Sequence, residues 1–363
     1  MDKSFSKILF SWYRENKRDM PWRRTKDPYK IWVSEIILQQ TRVEQGWAYY
    51  ERFISRFPEI RSLATATEQE VLKIWQGLGY YSRARNMHTA AKMMVDKYKG
   101  KFPSSYKEIH DLKGIGDYTA AAVASIVFGL PYPVVDGNVL RFFSRYFGVE
   151  LPVDSVAGKK EILRIAREQI DHRNPGEFNQ AIMEFGALQC VPGIPDCLVC
   201  PFRKKCHAFE QGIVSELPVK SKKTIQRDRY FNYLVFVSDE KKDDDILWLR
   251  KRQENDIWKN FYDFPLIETS STMKFPQLKK TDEWRNILGK MGAKLIGQSE
   301  EYRHMLSHQV IYATFYSIRI PSGKKLPFIR VTRKELEKIP VPRLIDRFLR
   351  FFLPLQSNYK GKP

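Results

Sequence analysis

Residues 112–139 read LKGIGDYTAAAVASIVFGLPYPVVDGNV, and this stretch decides the fold prediction. A tight turn, Gly114-Ile115-Gly116, precedes an apolar run typical of a buried helix, and Asp136 follows that run. Backbone N–H groups exposed by glycines at a helix N-terminus bind phosphate without reading base sequence. The stretch therefore predicts a phosphate clamp at Gly114 and Gly116, one helix away from a carboxylate. In the alternative interpretation, the glycines only make a turn and Asp136 only caps the next helix.

The length and the net charge of the chain limit which classes of function are possible. The chain has 363 residues, of which 43% are hydrophobic and 13% aromatic, so two or three domains with real cores are expected. A formal charge of +20 favours DNA or RNA as the partner. The sequence has no apolar run of 18 residues and no signal-peptide pattern at its N-terminus. We expect a cytoplasmic protein, nucleoid-associated if bacterial, that does not enter a membrane.

Hydrophobic spacing divides the chain into two parts. Residues 1 to about 212 are predicted to be mostly helical, with a capping box at Thr67 and Glu70. Residues 213–227 are polar and basic and are predicted to be a linker. Beyond it, an α+β domain is predicted, with strands at 230–237, 246–249 and 310–320, a charged turn at 238–245, and helices at 284–291 and 333–339.

All four cysteines lie within seventeen residues, with the spacing C-x6-C-x2-C-x5-C: Cys190, Cys197, Cys200 and Cys206. Four clustered thiols in a reducing compartment favour a metal site over disulfides. Both a tetrahedral zinc ion and a [4Fe–4S] cluster accept four thiolates, so the spacing alone leaves both open.

Seven segments together resemble the helix–hairpin–helix glycosylases of the endonuclease III superfamily, and within it the MutY family of adenine DNA glycosylases. They are PWR at 21–23, SEIILQQTRV at 34–43, GLGYYSRARN at 77–86, LKGIGDYTA at 112–120, VVDGNVLR at 134–141, FNQAIMEFGALQC at 178–190, and the cysteine loop. The resemblance implies an all-α glycosylase domain over 1–225, with a six-helix barrel at about 21–135 and a [4Fe–4S] helical domain from 1–20 and 136–212. A C-terminal α+β Nudix-like domain over 228–363 is implied more weakly, by FYDFP at 261–265 and RHMLSH at 303–308.

The resemblance implies a monofunctional DNA N-glycosylase that hydrolyses the N-glycosidic bond of adenine. Glu35 would be the acid for adenine N7, and Asp136 would stabilise the sugar cation or act as a transient nucleophile. Tyr118 and Asn138 would assist near the sugar; lyase members carry a lysine at the position of Tyr118. The residues agree with these roles. Apolar neighbours of Glu35 should raise its pKa, and the helix start at Asp136 should keep that carboxyl ionised.

The implied partner is double-stranded DNA with adenine opposite 8-oxoguanine or guanine, bound by a monomer. Residues implied to contact the DNA include the wedge residues beside the lesion, phosphate contacts, and readers of the oxidised guanine: Arg23, Gln40, Leu78, Tyr80, Gly114, Gly116, Ser307 and His308. Arg83 and Arg85 are further candidates for phosphate contacts. Leu306 stands where the family usually has phenylalanine, which leaves the lesion contact open.

Three rival functions remain. One is a lyase like endonuclease III, which Tyr118 and the C-terminal domain disfavour. Another is a non-enzymatic redox or DNA-binding module, which would not need a buried acid at Glu35. The third is a Nudix-type nucleotide hydrolase, which the lack of a glutamate-rich Nudix box disfavours.

Overall fold

The computed structural model describes residues 3–221, 226–238, 246–254, 256–289, 291–321 and 325–358. The chain forms two compact units, each discontinuous in sequence. One comprises Met1–Thr65 and Arg85–Lys223, and the other comprises Ala66–Ala84 and Thr224–Pro363. Part of the predicted linker and nearly all of the charged turn at 238–245 lie outside the described residues. Among the described helices, none has both the length and the apolar character needed to cross a membrane.

The first unit is helical. Its helices are α1 (Lys3–Asn16), α2 (Pro28–Leu38), α3 (Val43–Arg56), α4 (Ile60–Thr65), α6 (Ser82–Tyr98, whose first turn belongs to the second unit), α7 (Tyr106–His110), α8 (Asp117–Phe128), α9 (Gly137–Phe147), α10 (Val156–Gln169), α11 (Pro175–Leu188) and α12 (His207–Glu210). Helix α5 (Glu68–Trp75) belongs to the second unit and begins with the predicted capping box of Thr67 and Glu70.

Helix α8 explains why the apolar run decides the fold. Every residue from 119 to 126 is buried, as expected for a helix that is apolar on all sides. Gly129 ends it in the left-handed conformation at φ 67°, a conformation that glycine adopts without strain. Helices α1, α9, α10 and α11 share a second, aromatic core that includes Phe5, Phe142 and Phe185. The helical prediction for this part of the chain is confirmed.

The second unit holds a mixed sheet. Its strands are β1 (Arg227–Ser238), β2 (Ile246–Lys251), β3 (Tyr262–Asp263), β4 (Leu266–Thr269), β5 (Lys294–Gln298), β6 (Tyr302–Met305), β7 (Gln309–Ile320) and β8 (Ile329–Thr332). The larger sheet has the order β4-β1-β7-β5, with β6 also pairing with β7, and β3-β2-β8 form a smaller one. Strands β1 and β7 run parallel over twelve residue pairs, whereas the other neighbours are antiparallel.

Helices accompany these strands at α13 (Phe275–Leu278), α14 (Asp282–Leu288), α15 (Arg333–Leu336) and α16 (Arg343–Asn358). The α+β prediction is confirmed, and the three predicted strands fall within β1, β2 and β7. The helices predicted at 284–291 and 333–339 end earlier, at Leu288 and Leu336. Helix α16 was not predicted from the sequence.

Candidate active site

Glu35 is the buried acid of the site. It lies on α2, which Asp27 caps by accepting a hydrogen bond from the backbone N–H of Tyr29. Its side chain is only 7% exposed, and the neighbouring Trp32 and Ile36 are buried as well. Burial raises the pKa of Glu35 to about 7, although a hydrogen bond from Tyr118 acts in the opposite direction. The sequence-based expectation of a raised pKa is confirmed, because a buried carboxylate loses its hydration.

Tyr118 links the glycine turn to this acid. It is the second residue of α8, immediately after the turn at 114–116. Its phenol donates to Glu35 Oε2 at 2.7 Å and lies 3.3 Å from Met183 Sδ on α11. Burial, together with the charges of Glu35 and Asp136, raises the pKa of Tyr118 well above its ordinary value. Tyr118 is therefore a neutral hydrogen-bond donor at neutral pH.

Asp136 both caps α9 and contributes to the site. Its Oδ1 accepts hydrogen bonds from the backbone N–H groups of Asn138 at 2.9 Å and Val139 at 2.8 Å. Its Oδ2 accepts a third bond, from Asn138 Nδ2 at 2.8 Å. The structural and functional interpretations of Asp136 are thus compatible, since the cap itself fixes where the carboxylate stands.

The two carboxyl groups influence each other, because the charge of Asp136 contributes to the raised pKa of Glu35. Burial also raises the pKa of Asp136, although its hydrogen bonds from Val139 and Asn138 lower it. The expected effect of the helix start on Asp136 is present, but burial outweighs it. Both charges also act on Tyr118, so the three groups lie near one another in the first unit.

Arg141 and Gly186 support the site and escaped the sequence analysis. Arg141 Nη2 donates to Asn138 Oδ1 at 3.0 Å, and its Nε donates to the carbonyl of Cys190 at 2.7 Å. These bonds orient the Asn138 amide so that its NH₂ faces Asp136. Gly186 gives α11 room against α9, because a Cβ there would stand 2.7 Å from Asn138 Cβ. Both contacts join residues that are far apart in the sequence, so no local sequence pattern predicts them.

Arg23, a predicted phosphate contact, binds a buried carboxylate inside the first unit. Its side chain is only 12% exposed, and its guanidinium donates to both carboxylate oxygens of the buried Glu184, at 3.0 and 2.9 Å. Arg18 binds the same carboxylate, and the two arginines hold the pKa of Glu184 at about 2 despite its burial. Because its donors are engaged inside the first unit, this geometry does not favour Arg23 as a phosphate ligand.

The other predicted DNA contacts in the first unit are accessible. Gly114 and Gly116 are exposed at the start of α8. Gly114 has φ 78°, and a Cβ at this position would stand 2.4 Å from Asn86 Cβ, so the turn requires glycine. Gln40 is exposed just beyond α2 in the left-handed region at φ 56°, which is uncommon for a residue other than glycine.

In the second unit, the predicted wedge residues differ in exposure. Tyr80 is 47% exposed, whereas Leu78 is buried at 9%. Of the pair Tyr80 and Tyr81, one was expected to be a core residue, and Tyr81 is buried as expected. Ser307 and His308 are exposed between β6 and β7, where the N–H of Leu306 donates to the carbonyl of Gln309 at 2.8 Å. Ser307 Oγ lies 3.2 Å from His308 Nδ1.

The four cysteines are free thiols that affect each other electrostatically. Burial and the charge of Cys190 both raise the pKa of Cys197, Cys200 and Cys206. Arg145 donates toward Cys190 Sγ at 3.5 Å, a contact that stabilises a thiolate. Within the described ranges, no three His, Cys, Asp or Glu side chains converge closely enough to hold a metal ion.

The two metal interpretations differ in how far apart the four sulfurs stand. One zinc ion needs its four sulfurs around a single centre. A four-iron cluster takes one thiolate on each iron, so its ligands stand farther apart. Four thiol side chains on one loop are donors that suit either arrangement.

Two family models match the chain. The HhH-GPD superfamily of base excision DNA repair proteins matches residues 33–169, and the NUDIX domain matches residues 234–351. A solved thermostable thymine-DNA glycosylase is 30% identical, with a TM-score of 0.54, over 58% of this chain and 96% of that one. The endonuclease III of a non-covalent DNA complex shares the fold at 21% identity and a TM-score of 0.50, over 59% of this chain and 98% of that one.

Curated relatives extend the match to the whole chain. A protein of Buchnera aphidicola from Acyrthosiphon pisum named adenine DNA glycosylase is 32% identical over 357 residues, which is 96% of this chain and 97% of that protein. The mouse protein of the same name is 39% identical over 227 residues, 59% of this chain and 44% of its own. With a helical glycosylase core, a Nudix-like domain and a full-length relative, the chain belongs to the adenine DNA glycosylase family.

Proposed function

We propose that this chain is a monofunctional DNA N-glycosylase of base excision repair that releases adenine mispaired with 8-oxoguanine or guanine. Family membership supports the coarser activity, a glycosylase that acts on adenine in DNA. The proposed mechanism rests on the hydrogen bond from Tyr118 to Glu35. This bond joins a buried acid to a residue that cannot form a Schiff base. Hydrolysis without strand cleavage follows from that chemistry.

Glu35 would supply the proton. With a pKa of about 7, a large fraction of this carboxyl is protonated near neutral pH. Tyr118 occupies Oε2, which leaves Oε1 to carry the proton toward adenine N7. As the C1′–N9 bond breaks, its electron pair passes to the protonated base, and adenine leaves as a neutral molecule.

Asp136 would balance the positive charge that this step leaves on the sugar. Its carboxylate is fixed by three hydrogen bonds, so it need not reorganise when the cation forms. It stabilises C1′ electrostatically or by a transient bond. Water then adds to C1′ and returns a proton to the Glu35 carboxylate, and both residues recover their starting states.

DNA would be held outside this centre. The exposed N–H groups at Gly114 and Gly116 suit a backbone phosphate. Gln40 and Tyr80 are exposed and suit a wedge that fills the space of the flipped base, whereas Leu78 must become accessible to share that role. Ser307 and His308 offer hydrogen-bonding groups to the oxidised guanine. The formal charge of +20 suits a duplex partner.

Cys190, Cys197, Cys200 and Cys206 would hold a [4Fe–4S] cluster, which supplies structural order to the loop when bound. We place the functional domains at residues 1–225 and 228–363, although the second compact unit also includes residues 66–84. The protein would act as a monomer in the cytoplasm, associated with the nucleoid if the source is bacterial.

Single-turnover base release tests the proposal on duplexes with adenine opposite 8-oxoguanine, guanine, cytosine or thymine. We expect the fastest release opposite 8-oxoguanine, slower release opposite guanine, and no covalent DNA adduct after borohydride reduction. Equal rates on all four duplexes would overturn the specificity. A trapped adduct would instead support a lyase.

A further inference from the structure

Residues 66–84 lie inside the range matched by the glycosylase family, yet they form one compact unit with the C-terminal domain. This segment contains α5 and the loop with Leu78 and Tyr80. The FYDFP motif at 261–265, which the proposed function leaves without a role, lies in the same unit.

Polar bonds hold α5 to the C-terminal residues along one side of the helix. Gln69 Nε2 donates to the hydroxyl of Tyr262 at 2.5 Å, and Lys73 Nζ donates to the carbonyl of Ile339 at 3.0 Å. Just past the helix, Gln76 Oε1 accepts from the backbone N–H of Val341 at 3.2 Å. Positions 69, 73 and 76 follow the i, i+4, i+7 spacing of one helical face, so the attachment is continuous.

The loop at 77–80, after α5, is also held in place by hydrogen bonds and a ring contact. The carbonyl of Gly79 accepts from Trp75 Nε1 at 3.1 Å and from Arg83 Nη2 at 3.2 Å. The Tyr81 ring is buried against Phe261, with ring centroids 4.2 Å apart. These bonds leave Tyr80 exposed in the left-handed region at φ 46°. For a residue with a bulky side chain this conformation is unfavourable and persists only where its surroundings hold it.

The same contacts continue from Phe261 toward Ser307 and His308. The N–H of Phe261 donates to the carbonyl of Trp258 at 3.0 Å. The Trp258 ring stands 5.7 Å from the ring of His304, on β6, which leads directly into Ser307 and His308. Trp258 also has a left-handed backbone, at φ 59°. Contacts between side chains and backbone thus run without interruption from the tip at 307–308 to Tyr80.

We propose that Trp258, Phe261 and Tyr81 are positioning residues that couple recognition of the base opposite adenine to the wedge loop at 77–80. Binding of 8-oxoguanine at Ser307 and His308 biases the arrangement of His304 and Trp258, and the contact between the tilted rings of Phe261 and Tyr81 passes that bias to Tyr80. The inference rests on the proposed substrate, adenine opposite 8-oxoguanine. It assigns specificity to residues that touch neither base.

The test compares Trp258→Phe with Trp284→Phe as a matched control. Trp284 is another buried tryptophan of the second unit, packed on Phe275 away from this route. Single-turnover rates are measured for adenine opposite 8-oxoguanine and opposite guanine. We expect Trp258→Phe to lower the ratio of the two rates about fivefold and to change the rate opposite guanine by less than about twofold. Trp284→Phe should leave the ratio unchanged.

Ser307→Ala completes a double-mutant cycle. Coupling predicts that Ser307→Ala lowers the same ratio and that the double variant with Trp258→Phe lowers it no further. Equal slowing on both duplexes, or effects that multiply in the double variant, would overturn the inference. If the wild-type protein shows no preference for 8-oxoguanine, the proposed specificity fails instead.

Lys73→Met serves as a second variant if Trp258→Phe does not fold. It removes a donor from the face of α5 that bonds to the C-terminal residues and keeps most of the side-chain volume. It should lower the ratio in the same direction, and an unchanged ratio for this variant would also count against coupling.

Discussion

The catalytic centre and the tip at Ser307 and His308 are organised in opposite ways. Four hydrogen bonds fix the carboxyl groups of Glu35 and Asp136, and burial raises the pKa of both. Ser307 and His308 are exposed at a short turn, and their side chains hydrogen-bond to each other. The fold thus preorganises the centre for the proposed chemistry, whereas the side chains proposed to read the opposite base stand exposed. Changes in the centre should slow every substrate, and changes at the tip should alter preference.

Glu35→Gln should produce the largest loss. The amide keeps the shape and still accepts from Tyr118, but it has no acidic proton for adenine. We expect base release to slow about 10²- to 10⁴-fold, opposite 8-oxoguanine and guanine alike. Single-turnover assays measure this, with the exposed Glu59→Gln as the matched control. Full activity in Glu35→Gln would remove the acid from the mechanism.

Gly186→Ala tests whether close packing of α11 keeps the centre in place. The new Cβ would stand 2.7 Å from Asn138 Cβ and 2.8 Å from its carbonyl oxygen, so Asn138 and then Asp136 must shift. Since a displacement of about 1 Å can cost about 100-fold, we expect base release to slow about 10- to 100-fold on both duplexes. Gly137→Ala is the control, because its Cβ would meet nothing within 4 Å. Equal rates for the two variants would show that this packing does not position Asn138.

The pH profile should report the raised pKa of Glu35. An acid catalyst must be protonated, so the limb of the profile that Glu35 sets is flat below its pKa of about 7 and falls about tenfold per pH unit above it. Asp136 must stay ionised, and its raised pKa adds a loss of activity at more acidic pH. The hydrogen bond from Tyr118 lowers that pKa, so Tyr118→Phe should move the descending limb to higher pH. Single-turnover rates from pH 5 to 9 give the profile. A limb that moves to lower pH in Tyr118→Phe would contradict this assignment of the hydrogen bond.

The sequence predicted what depends on neighbours along the chain. The apolar residues around Glu35 predicted that it is buried, and the spacing of Thr67 and Glu70 predicted a capping box. It missed what depends on distant partners. Glu184 binds Arg23 although the two residues are 161 positions apart in the sequence. Gly186 and Asn138 pack together from two different helices. The attachment of residues 66–84 to the C-terminal domain was missed for the same reason.

His308→Ala should have the smallest effect and the most selective one. Removing one hydrogen-bond partner costs about 0.5–1.5 kcal/mol, which corresponds to about two- to tenfold in rate. We expect that loss only opposite 8-oxoguanine, because guanine lacks the oxidised edge that the tip would read. The matched control is His172→Ala, because His172 is an exposed histidine of the first unit. If His308→Ala slowed release equally opposite guanine, the tip would contribute to binding or folding in general, and the contrast between a preorganised centre and a separate reader would no longer hold.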